Sequence, residues 1–314
     1  MPTTQKTKVT KVNGVNIAYQ SAGDPGDPAL LLIMGLGMQL TGWPDDLVEA
    51  LVELGFHVIR FDNRDSGLSD KFEHAGTPNL PLAFLKTLVR WPLKGAYSLE
   101  DMAGDAIGVL DALGVAKAHI VGASMGGMIA QIVAARYPQR VLTLTSIMSS
   151  SGRRGLPGPT RAARAILFKR PAKPQDFDSL VSHGANVFRV IGSPAYPTPD
   201  KVLRERVGSQ IKRNTCPGGV LRQMVAIAAS GERSALLNTI KVPTLVIHGA
   251  ADPLVPLACG EDTARLVPDA RLAIIEGMGH DLPAQLIERL VSLIDAHAHG
   301  KMAADSTVRH VEKQ

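Results

Sequence analysis

The stretch Gly122-Ala123-Ser124-Met125-Gly126 reads G-x-S-x-G and lies between an apolar run at 118–121 and a helix-like run at 128–135. This pattern predicts a serine held at a sharp turn from a strand into a helix. The strand and the helix pass close together at such a turn, and glycine is the residue that allows that approach. A short pattern of this kind also arises by chance as a glycine-rich turn, so its meaning depends on partners elsewhere in the chain.

The composition predicts one large α/β domain. The chain has 314 residues, of which 45% are hydrophobic and 20% are charged, and its only cysteines are Cys216 and Cys259. Two cysteines are too few for a disulfide scaffold, and neither has neighbours that resemble a metal site, so we expect no metal. Residues 1–6 lack the apolar core of a signal peptide, and no apolar run is long enough to span a bilayer. We therefore predict a reduced, cytoplasmic protein with no integral membrane segment.

The charge of the chain is mildly basic. The formal net charge is +5, and the basic residues are scattered apart from a loose group between Arg153 and Lys173. A nucleic-acid interface requires a denser basic face, so we expect no nucleic-acid partner and interpret the charge as favouring solubility. The sequence does not define the oligomeric state, and a homodimer is compatible with it.

Apolar runs alternate with helical patterns along most of the chain. A hairpin is predicted around Asn13-Gly14, further strands at 29–34, 57–62, 118–121, 141–148, 242–248 and 270–275, and helices at 44–54, 99–113 and 283–297. This alternation predicts an α/β fold with a mostly parallel sheet and helices on both faces.

The alternation of strand and helix patterns stops between residues 149 and 238, where helical patterns are joined by segments rich in Pro, Gly and Arg. We predict a core made of residues 1–148 and 239–299, an inserted helical cap at 149–238, and a flexible tail at 300–314. Such a cap would cover the carboxyl ends of the strands, where open α/β sheets bind their ligands.

Residues 80–93 form a smaller insertion between a strand and the next helix, and they are unusually apolar for a loop. Two interpretations are open. The segment either packs against the predicted cap or forms an apolar wall or flap at the entrance to a substrate site.

The serine at position 124 needs a base within hydrogen-bond reach and an acid that orients the base. His280 follows the predicted strand 270–275 in a loop that contains two glycines, and Asp252 is the single acid in the loop after 242–247. The loop after 141–148 offers no carboxylate, and Asp281 next to His280 would point elsewhere. The order serine, acid, histidine, each after its own strand, predicts a catalytic triad of Ser124, Asp252 and His280.

Acyl transfer also needs donors for the developing oxyanion. The expected donors are the backbone N–H groups of Met125, directly after the serine, and of Leu36, in the loop after strand 29–34. Three neighbouring side chains, Met34, Met38 and Trp43, would form the apolar mouth of a substrate pocket, or would simply pack in the core at the sheet end.

These residues, in their loops, resemble the α/β-hydrolase superfamily over about residues 9–297. The segments 34–44, 61–69 and 277–283 look like the bacterial branch that includes aclacinomycin methylesterase. The resemblance implies an α/β-hydrolase fold and a capped esterase that needs no cofactor. One departure is Met34-Gly35 where the family commonly has His-Gly, which affects the outer hydrogen bonds of that loop but not the backbone donor at Leu36.

These observations together favour a serine carboxylesterase that hydrolyses short- to medium-chain esters of small molecules. A lipase that uses residues 80–93 as its interface, a lactonase and other acyl hydrolases share the same triad and stay open. Haloalkane dehalogenases and the usual epoxide hydrolases use an aspartate nucleophile, so Ser124 argues against both. A hypothesis of a different class is a non-catalytic receptor for a small apolar ligand, which an intact triad disfavours.

Overall fold

A nine-stranded sheet forms the centre of the molecule in this computed structural model, which describes residues 6–89, 91–301 and 308–310. The strands are β1 (Lys8–Val12), β2 (Val15–Ala22), β3 (Ala29–Ile33), β4 (His57–Phe61), β5 (Ala118–Ala123), β6 (Val141–Ile147), β7 (Thr244–Gly249), β8 (Arg271–Ile275) and β9 (Val308–His310). Their order across the sheet is β1-β2-β4-β3-β5-β6-β7-β8-β9. The strands from β4 to β8 in that order are parallel, and antiparallel strands lie at both edges. The predicted α/β class and mostly parallel sheet are confirmed.

Eleven helices of the described residues surround this sheet. They are α1 (Asp45–Glu53), α2 (Leu80–Leu88), α3 (Leu99–Ala112), α4 (Met125–Arg136), α5 (Arg161–Phe168), α6 (Phe177–Ile191), α7 (Asp200–Arg213), α8 (Pro217–Ser230), α9 (Ser234–Leu237), α10 (Leu257–Leu266) and α11 (Ile287–Ala298). No helix in these ranges combines the length and the apolar character that crossing a bilayer requires.

The apolar run of β3 shows how the sheet is buried on both faces. Leu31 and Ile33 pack in a core cluster with residues of α3 and α4, whereas Leu30 and Leu32 pack in a second cluster with residues of α1 and α11. Side chains alternate between the two faces of a strand, so a strand covered on both sides must be apolar at every position. All five residues of β3 are buried accordingly.

Residues 80–93 differ from the expected loop because they contain helix α2. The Oδ1 atom of Asn79 accepts a 3.0 Å hydrogen bond from the Leu82 N–H, and Pro81 lies in the first turn. An asparagine N-cap with proline directly inside the helix is a strong start signal, so the sequence contained the information. Helix α2 packs against α8, in agreement with the interpretation that this segment contacts the predicted cap.

The segment 149–238 contains the five helices from α5 to α9 and no strand, and the structure describes all of it. Its two ends lie side by side, because the Arg233 N–H donates to the Ser151 carbonyl at 2.9 Å. The buried Arg233 guanidinium also donates to the carbonyls of Ser150 and Gly231, and burial lowers its pKa to about 10. We call this contact between Ser151 and Arg233 the narrow neck of the segment. It supports the predicted division into core and cap, which stays a prediction.

The tail at 300–314, which was expected to be flexible throughout, contains one short strand in the structure. Residues 302–307 and 311–314 lie outside the described residues, but Val308–His310 form β9. This strand pairs antiparallel with β8, with Leu272 opposite Arg309. The edge of β8 offers backbone donors and acceptors, which explains why a short polar segment with no apolar signal forms a strand there.

Candidate active site

Ser124 lies at the turn between β5 and α4, in a backbone conformation that non-glycine residues rarely adopt. Its φ is 57° and its ψ is −119°. The Ser124 N–H donates to the Ile147 carbonyl at 2.9 Å, and its carbonyl accepts a 2.8 Å hydrogen bond from the Ser149 hydroxyl. Strain of this kind persists only where the surroundings hold it, and it is concentrated at functional sites.

The glycines around Ser124 are required by close backbone contacts. A Cβ atom at Gly122 would overlap the Gly126 carbonyl, and a Cβ atom at Gly126 would overlap the Ile33 carbonyl. Strand β5 therefore packs directly against α4 at Gly122, and α4 packs directly against the end of β3 at Gly126, with no room for a side chain at either glycine. This is the steric requirement on which the G-x-S-x-G interpretation depends.

The structure brings Ser124, Asp252 and His280 together in one line of hydrogen bonds. The Nε2 atom of His280 lies 3.0 Å from the Ser124 hydroxyl oxygen, and its Nδ1 atom lies 2.7 Å from Oδ2 of Asp252. Asp252 and His280 are buried, whereas Ser124 is partly exposed. The imidazole is thus held between a carboxylate and a hydroxyl, the arrangement that lets it accept the hydroxyl proton.

The Asp252 carboxylate is fixed by its own loop. Its Oδ1 atom accepts the N–H groups of Leu254 and Val255 at 2.9 and 2.8 Å, which leaves Oδ2 free for His280. His248, at the end of β7, donates from Nε2 to the Val255 carbonyl at 2.8 Å. Burial lowers the pKa of His248, so it stays neutral and acts here as a hydrogen-bond donor. No sequence motif singles out His248, although it lies at the end of the strand before Asp252.

The His280 loop is held by the last residue of α6 and by a serine just after this helix. The His280 N–H donates to the Ile191 carbonyl at 2.7 Å, and the Gly279 N–H donates to the Ser193 hydroxyl at 2.9 Å. Ser193 in turn donates to Asp281 at 2.5 Å, so this carboxyl is engaged away from the triad, as expected. Burial raises the pKa of Asp281. The predicted cap therefore contacts the histidine loop directly.

The loop after β3 lies against Ser124. A Cβ atom at Gly35 would be 3.1 Å from the Ser124 Cβ, so only glycine fits without displacement. The next N–H, of Leu36, donates no hydrogen bond to any residue in the described ranges. The Met125 N–H is at the first helical position of α4, where it has no acceptor within the helix. Both expected oxyanion donors are thus close to the serine and unused within the described part of the chain.

One model of a known protein family matches most of this chain. The model of the alpha/beta hydrolase fold matches residues 28–284. The chain belongs to this family. Two relatives are rhodomycin D methylesterases: DauP from Streptomyces sp. (strain C5) is 31% identical over 95% of this chain and 98% of its own length, and DnrP from Streptomyces peucetius is 29% identical over 93% and 97%. The similarity to the aclacinomycin methylesterase-like branch is confirmed, and the prediction of a carboxylic ester hydrolase agrees with both names.

A solved structure agrees with the α/β-hydrolase fold. The meta-cleavage product hydrolase from Pseudomonas fluorescens IP01, in an S103A mutant complexed with acetates, superposes with a TM-score of 0.73. The superposition covers 93% of this chain and 97% of the chain of that hydrolase, at 23% sequence identity, so it shows the shared fold.

One glutamine of this hydrolase joins the cap segment to the loop after β3. Gln223 of α8 is fully buried and accepts the Gly37 N–H at 2.8 Å with its Oε1 atom. Its Nε2 atom donates to the Arg64 carbonyl at 2.8 Å and to the Ser66 hydroxyl at 3.1 Å. The sequence does not predict this contact, because Gln223 belongs to no motif and lies 186 residues from Gly37.

A buried ion pair lies beside this glutamine. Arg222 donates to both carboxylate oxygens of Asp65 at 2.7 Å, and the Tyr97 hydroxyl donates to the same carboxylate at 2.7 Å. Burial alone would raise the pKa of Asp65, but the hydrogen bonds from Arg222 and Tyr97 hold it below its usual value. Helix α8 is therefore fixed to the turn after β4 by a charged pair that excludes water.

The three side chains expected at the pocket mouth differ in position. A Cβ atom at Gly42 would be 3.1 Å from the terminal methyl groups of both Met34 and Met38. Met38 is partly exposed, whereas Met34 is buried. Trp43 is fully buried in the core cluster that includes Leu47 of α1, so it does not face an accessible mouth. The reason is that Trp43 directly precedes the turn into α1, where its ring fills the space between the helix and the sheet. For Trp43 the core-packing alternative describes the structure.

Proposed function

We propose that this α/β-hydrolase is a serine carboxylesterase that acts through an acyl-enzyme on Ser124. The observation that carries the proposal is the continuous hydrogen-bonded line from Asp252 through His280 to Ser124, with separations of 2.7 and 3.0 Å. A lone serine hydroxyl is a poor nucleophile, and this line supplies the base and the orienting acid that it needs.

In the first half of the proposed reaction, the Ser124 oxygen attacks the ester carbonyl while Nε2 of His280 takes the hydroxyl proton. The resulting imidazolium is stabilised by the Asp252 carboxylate on its other nitrogen. Collapse of the tetrahedral intermediate breaks the bond to the alcohol oxygen, which receives the proton from His280. The acyl group then remains on Ser124 as an ester.

In the second half, His280 accepts a proton from water as the water oxygen attacks the acyl-enzyme carbonyl. The second tetrahedral intermediate releases the Ser124 oxygen, which recovers its proton from His280, and the carboxylic acid leaves. Each proton taken by His280 is thus returned in the same half-reaction, and no further reactant than water is needed.

The negative charge of both intermediates would be stabilised by the backbone N–H groups of Leu36 and Met125. This assignment is supported by the contact of Gly35 with Ser124 and by the unused hydrogen-bonding capacity of both N–H groups within the described residues. Removing one oxyanion donor typically costs 10²- to 10³-fold in kcat, or about 3 to 4 kcal/mol. Fixed backbone donors are therefore expected to be a major contribution to catalysis.

The substrate proposed is a small carboxylic ester with a short to medium acyl chain. The relatives support ester hydrolysis, because both are named methylesterases of rhodomycin D. A methyl ester of a larger organic acid is therefore the second substrate type to be assayed. The low aromatic content of the chain, 4%, favours a pliable acyl pocket of Leu, Met and Ala side chains.

The proposal is tested by comparing Ser124→Ala with Ser209→Ala, a matched change on the exposed face of α7. Hydrolysis of p-nitrophenyl butyrate is expected to fall by at least about 10⁴-fold in the first variant and to stay unchanged in the second. A fluorophosphonate probe should label the parent protein and Ser209→Ala, but not Ser124→Ala. Full activity of Ser124→Ala would disprove the mechanism, and an unlabelled, inactive parent protein would favour the receptor hypothesis.

The acyl preference is measured with a series of p-nitrophenyl esters from acetate to laurate, together with a methyl ester, a lactone and an amide. We expect the highest kcat/KM between acetate and octanoate. A maximum on the lactone would identify a lactonase instead. A rate that jumps above the solubility limit of a long-chain triglyceride would identify a lipase, whereas smooth saturation would exclude one.

A further inference from the structure

Helix α2 exposes a row of large apolar side chains. Leu82, Leu85 and Val89 are 49, 54 and 59% exposed, and Trp91 just beyond the helix is 65% exposed. The first three are spaced by three and four residues, so they share one face of the helix. The opposite side includes the buried Ala83, and the helix packs there against α8. The apolar row is therefore an outward face of a helix that is already fixed to the protein.

The end of α2 holds Trp91 next to this row. The Trp91 N–H donates to the Lys86 carbonyl at 2.8 Å, and the Val89 N–H donates to the Leu85 carbonyl at 3.0 Å. Backbone hydrogen bonds of this kind close the last turn of a helix and fix the direction of the chain that leaves it. Trp91 is thus an ordered extension of the exposed row. We call Leu82, Leu85, Val89 and Trp91 the α2 surface.

The sequence around the α2 surface carries only positive charge. No acidic residue occurs between Glu73 and Glu100, whereas Lys86, Arg90 and Lys94 do. Exposed leucines and a tryptophan next to lysine and arginine are the composition with which interfacial helices bind a membrane surface. Apolar side chains enter the boundary between headgroups and acyl chains, and the basic residues attract anionic lipids.

We propose that the α2 surface docks onto an anionic lipid bilayer as a peripheral contact. A second copy of the chain is the other partner that an apolar row could bind. In a symmetric dimer the same patch meets itself, so the basic residues of both copies would be brought together without acidic partners. An anionic bilayer complements the apolar row and the positive charge at the same time.

A second segment has the same chemistry. Residues 152–175 contain seven basic residues and no acidic residue, and α5 in this segment exposes Leu167 and Phe168. Both segments leave the sheet at the carboxyl end of a strand, α2 after β4 and α5 after β6. Ser124 lies at the same edge, at the end of β5. The α2 surface thus belongs to a segment that leaves the sheet at the edge that carries the candidate site.

The proposal is tested by the fluorescence of the two tryptophans, because Trp43 is fully buried and Trp91 is exposed. Vesicles of equal parts phosphatidylglycerol and phosphatidylcholine are expected to shift the emission to the blue as Trp91 leaves water. The protein should also co-sediment with these vesicles. Trp91→Phe should abolish the shift, because Trp43 does not change its surroundings.

The test uses the double variant Leu82→Glu with Leu85→Glu. The matched control is the double variant Val9→Glu with Leu54→Glu, at two side chains that are 58 and 47% exposed. The first pair is expected to weaken binding to the anionic vesicles by at least about tenfold, because it removes apolar contacts and adds like charge. The control pair should bind as the parent protein does. A thermal unfolding curve of each of the three proteins shows that it is folded, so vesicle binding is measured independently of the proposed function.

Three results would overturn the proposal. The first is the absence of binding to the anionic vesicles, and the second is equal binding to vesicles of phosphatidylcholine alone. The third is a blue shift that appears with protein concentration and without lipid, together with a dimer in sedimentation velocity. That last result would assign the α2 surface to a second copy of the chain.

Discussion

The Gly37 N–H donates a 2.8 Å hydrogen bond to the Oε1 atom of Gln223, and so a helix of the predicted cap holds the loop that contains Leu36. The same side chain binds the turn after β4 through the Arg64 carbonyl and the Ser66 hydroxyl. One buried amide thus fixes two loops to each other and to α8. The position of the proposed oxyanion donor depends on this residue.

Replacing Gln223 by Met should therefore impair catalysis more than substrate binding. The variant retains the side-chain volume but leaves the Gly37 N–H and the Arg64 carbonyl without their partner, at a cost of about 1 to 3 kcal/mol in stability. We expect kcat to fall by roughly tenfold or more with little change in KM, since the oxyanion forms only in the reaction. Steady-state kinetics on p-nitrophenyl butyrate measures both constants. Gln285→Met, at an exposed position, is the matched control, and an unchanged kcat in Gln223→Met would refute the coupling.

Replacing Asp252 by Asn should inactivate the enzyme without changing its fold. The amide keeps the shape of the side chain but no longer favours the His280 tautomer that carries its proton on Nδ1 and accepts on Nε2. From this effect kcat is expected to fall by roughly 10³- to 10⁴-fold at pH 7. Asp46→Asn on the exposed side of α1 should retain full activity. If Asp252→Asn lost less than about tenfold, another acid would have to orient His280.

Replacing Gly122 by Ala should destabilise the protein strongly. The added Cβ atom would overlap the Gly126 carbonyl, so β5 and α4 must move apart at the point where Ser124 is held. The expected loss is about 3 kcal/mol in the free energy of unfolding, measured by urea titration. Gly158→Ala is the control, since its Cβ would meet only the Arg164 side chain at 3.9 Å. Equal stabilities of the two variants would contradict the close approach.

Two buried histidines should make stability fall in mild acid. Burial lowers the pKa of both His119 and His297 to about 4. In the unfolded chain these groups bind protons below about pH 6.5, whereas in the folded protein they stay neutral until about pH 4. Stability is thus fully present above pH 6.5 and is lost as the pH falls toward 4, by at most about 2 kcal/mol for each imidazole between pH 7.5 and 5.

The measurement is a urea titration at pH 7.5 and at pH 5. The double variant His119→Gln with His297→Gln should lose less stability between these two values than the parent protein does. The exposed His74, replaced by Gln, serves as the control and should leave the pH dependence unchanged. Parallel pH dependence of the parent and the double variant would show that these imidazoles are not the cause. Contributions from other groups cancel in the comparison.

The parts of the fold that local patterns specify were predictable from the sequence. The apolar run at 29–34 and the Asn13-Gly14 turn indicate β3 and the first hairpin, because burial on both faces and positive φ angles each demand particular residues. The order of Ser124, Asp252 and His280 along the chain predicted three side chains that the structure joins by two hydrogen bonds, both made by His280.

Other parts depend on contacts that no local pattern encodes. Gln223 and Arg222 lie in a segment whose sequence predicts only helical patterns, and Gly37 and Asp65, which they bind, are 186 and 157 residues away. Trp43 was expected at the mouth of a substrate pocket because it follows the loop that contains Leu36, with core packing as the alternative, and the packing against α1 decides its burial. Helix α2 is a different case, since the Asn79 and Pro81 start signal was present and the apolar content of the segment outweighed it.

The narrow neck at Ser151 and Arg233 makes the segment between them a loop that closes on itself. Exchanging this segment for the corresponding segment of another family member would involve two junctions that lie side by side. The exchange has a condition. An incoming segment must also bring a glutamine for Gly37 and an arginine for Asp65, or the host scaffold will hold its reactive loops in the wrong place. Chimaeras designed at the junctions alone should fold and yet turn over slowly.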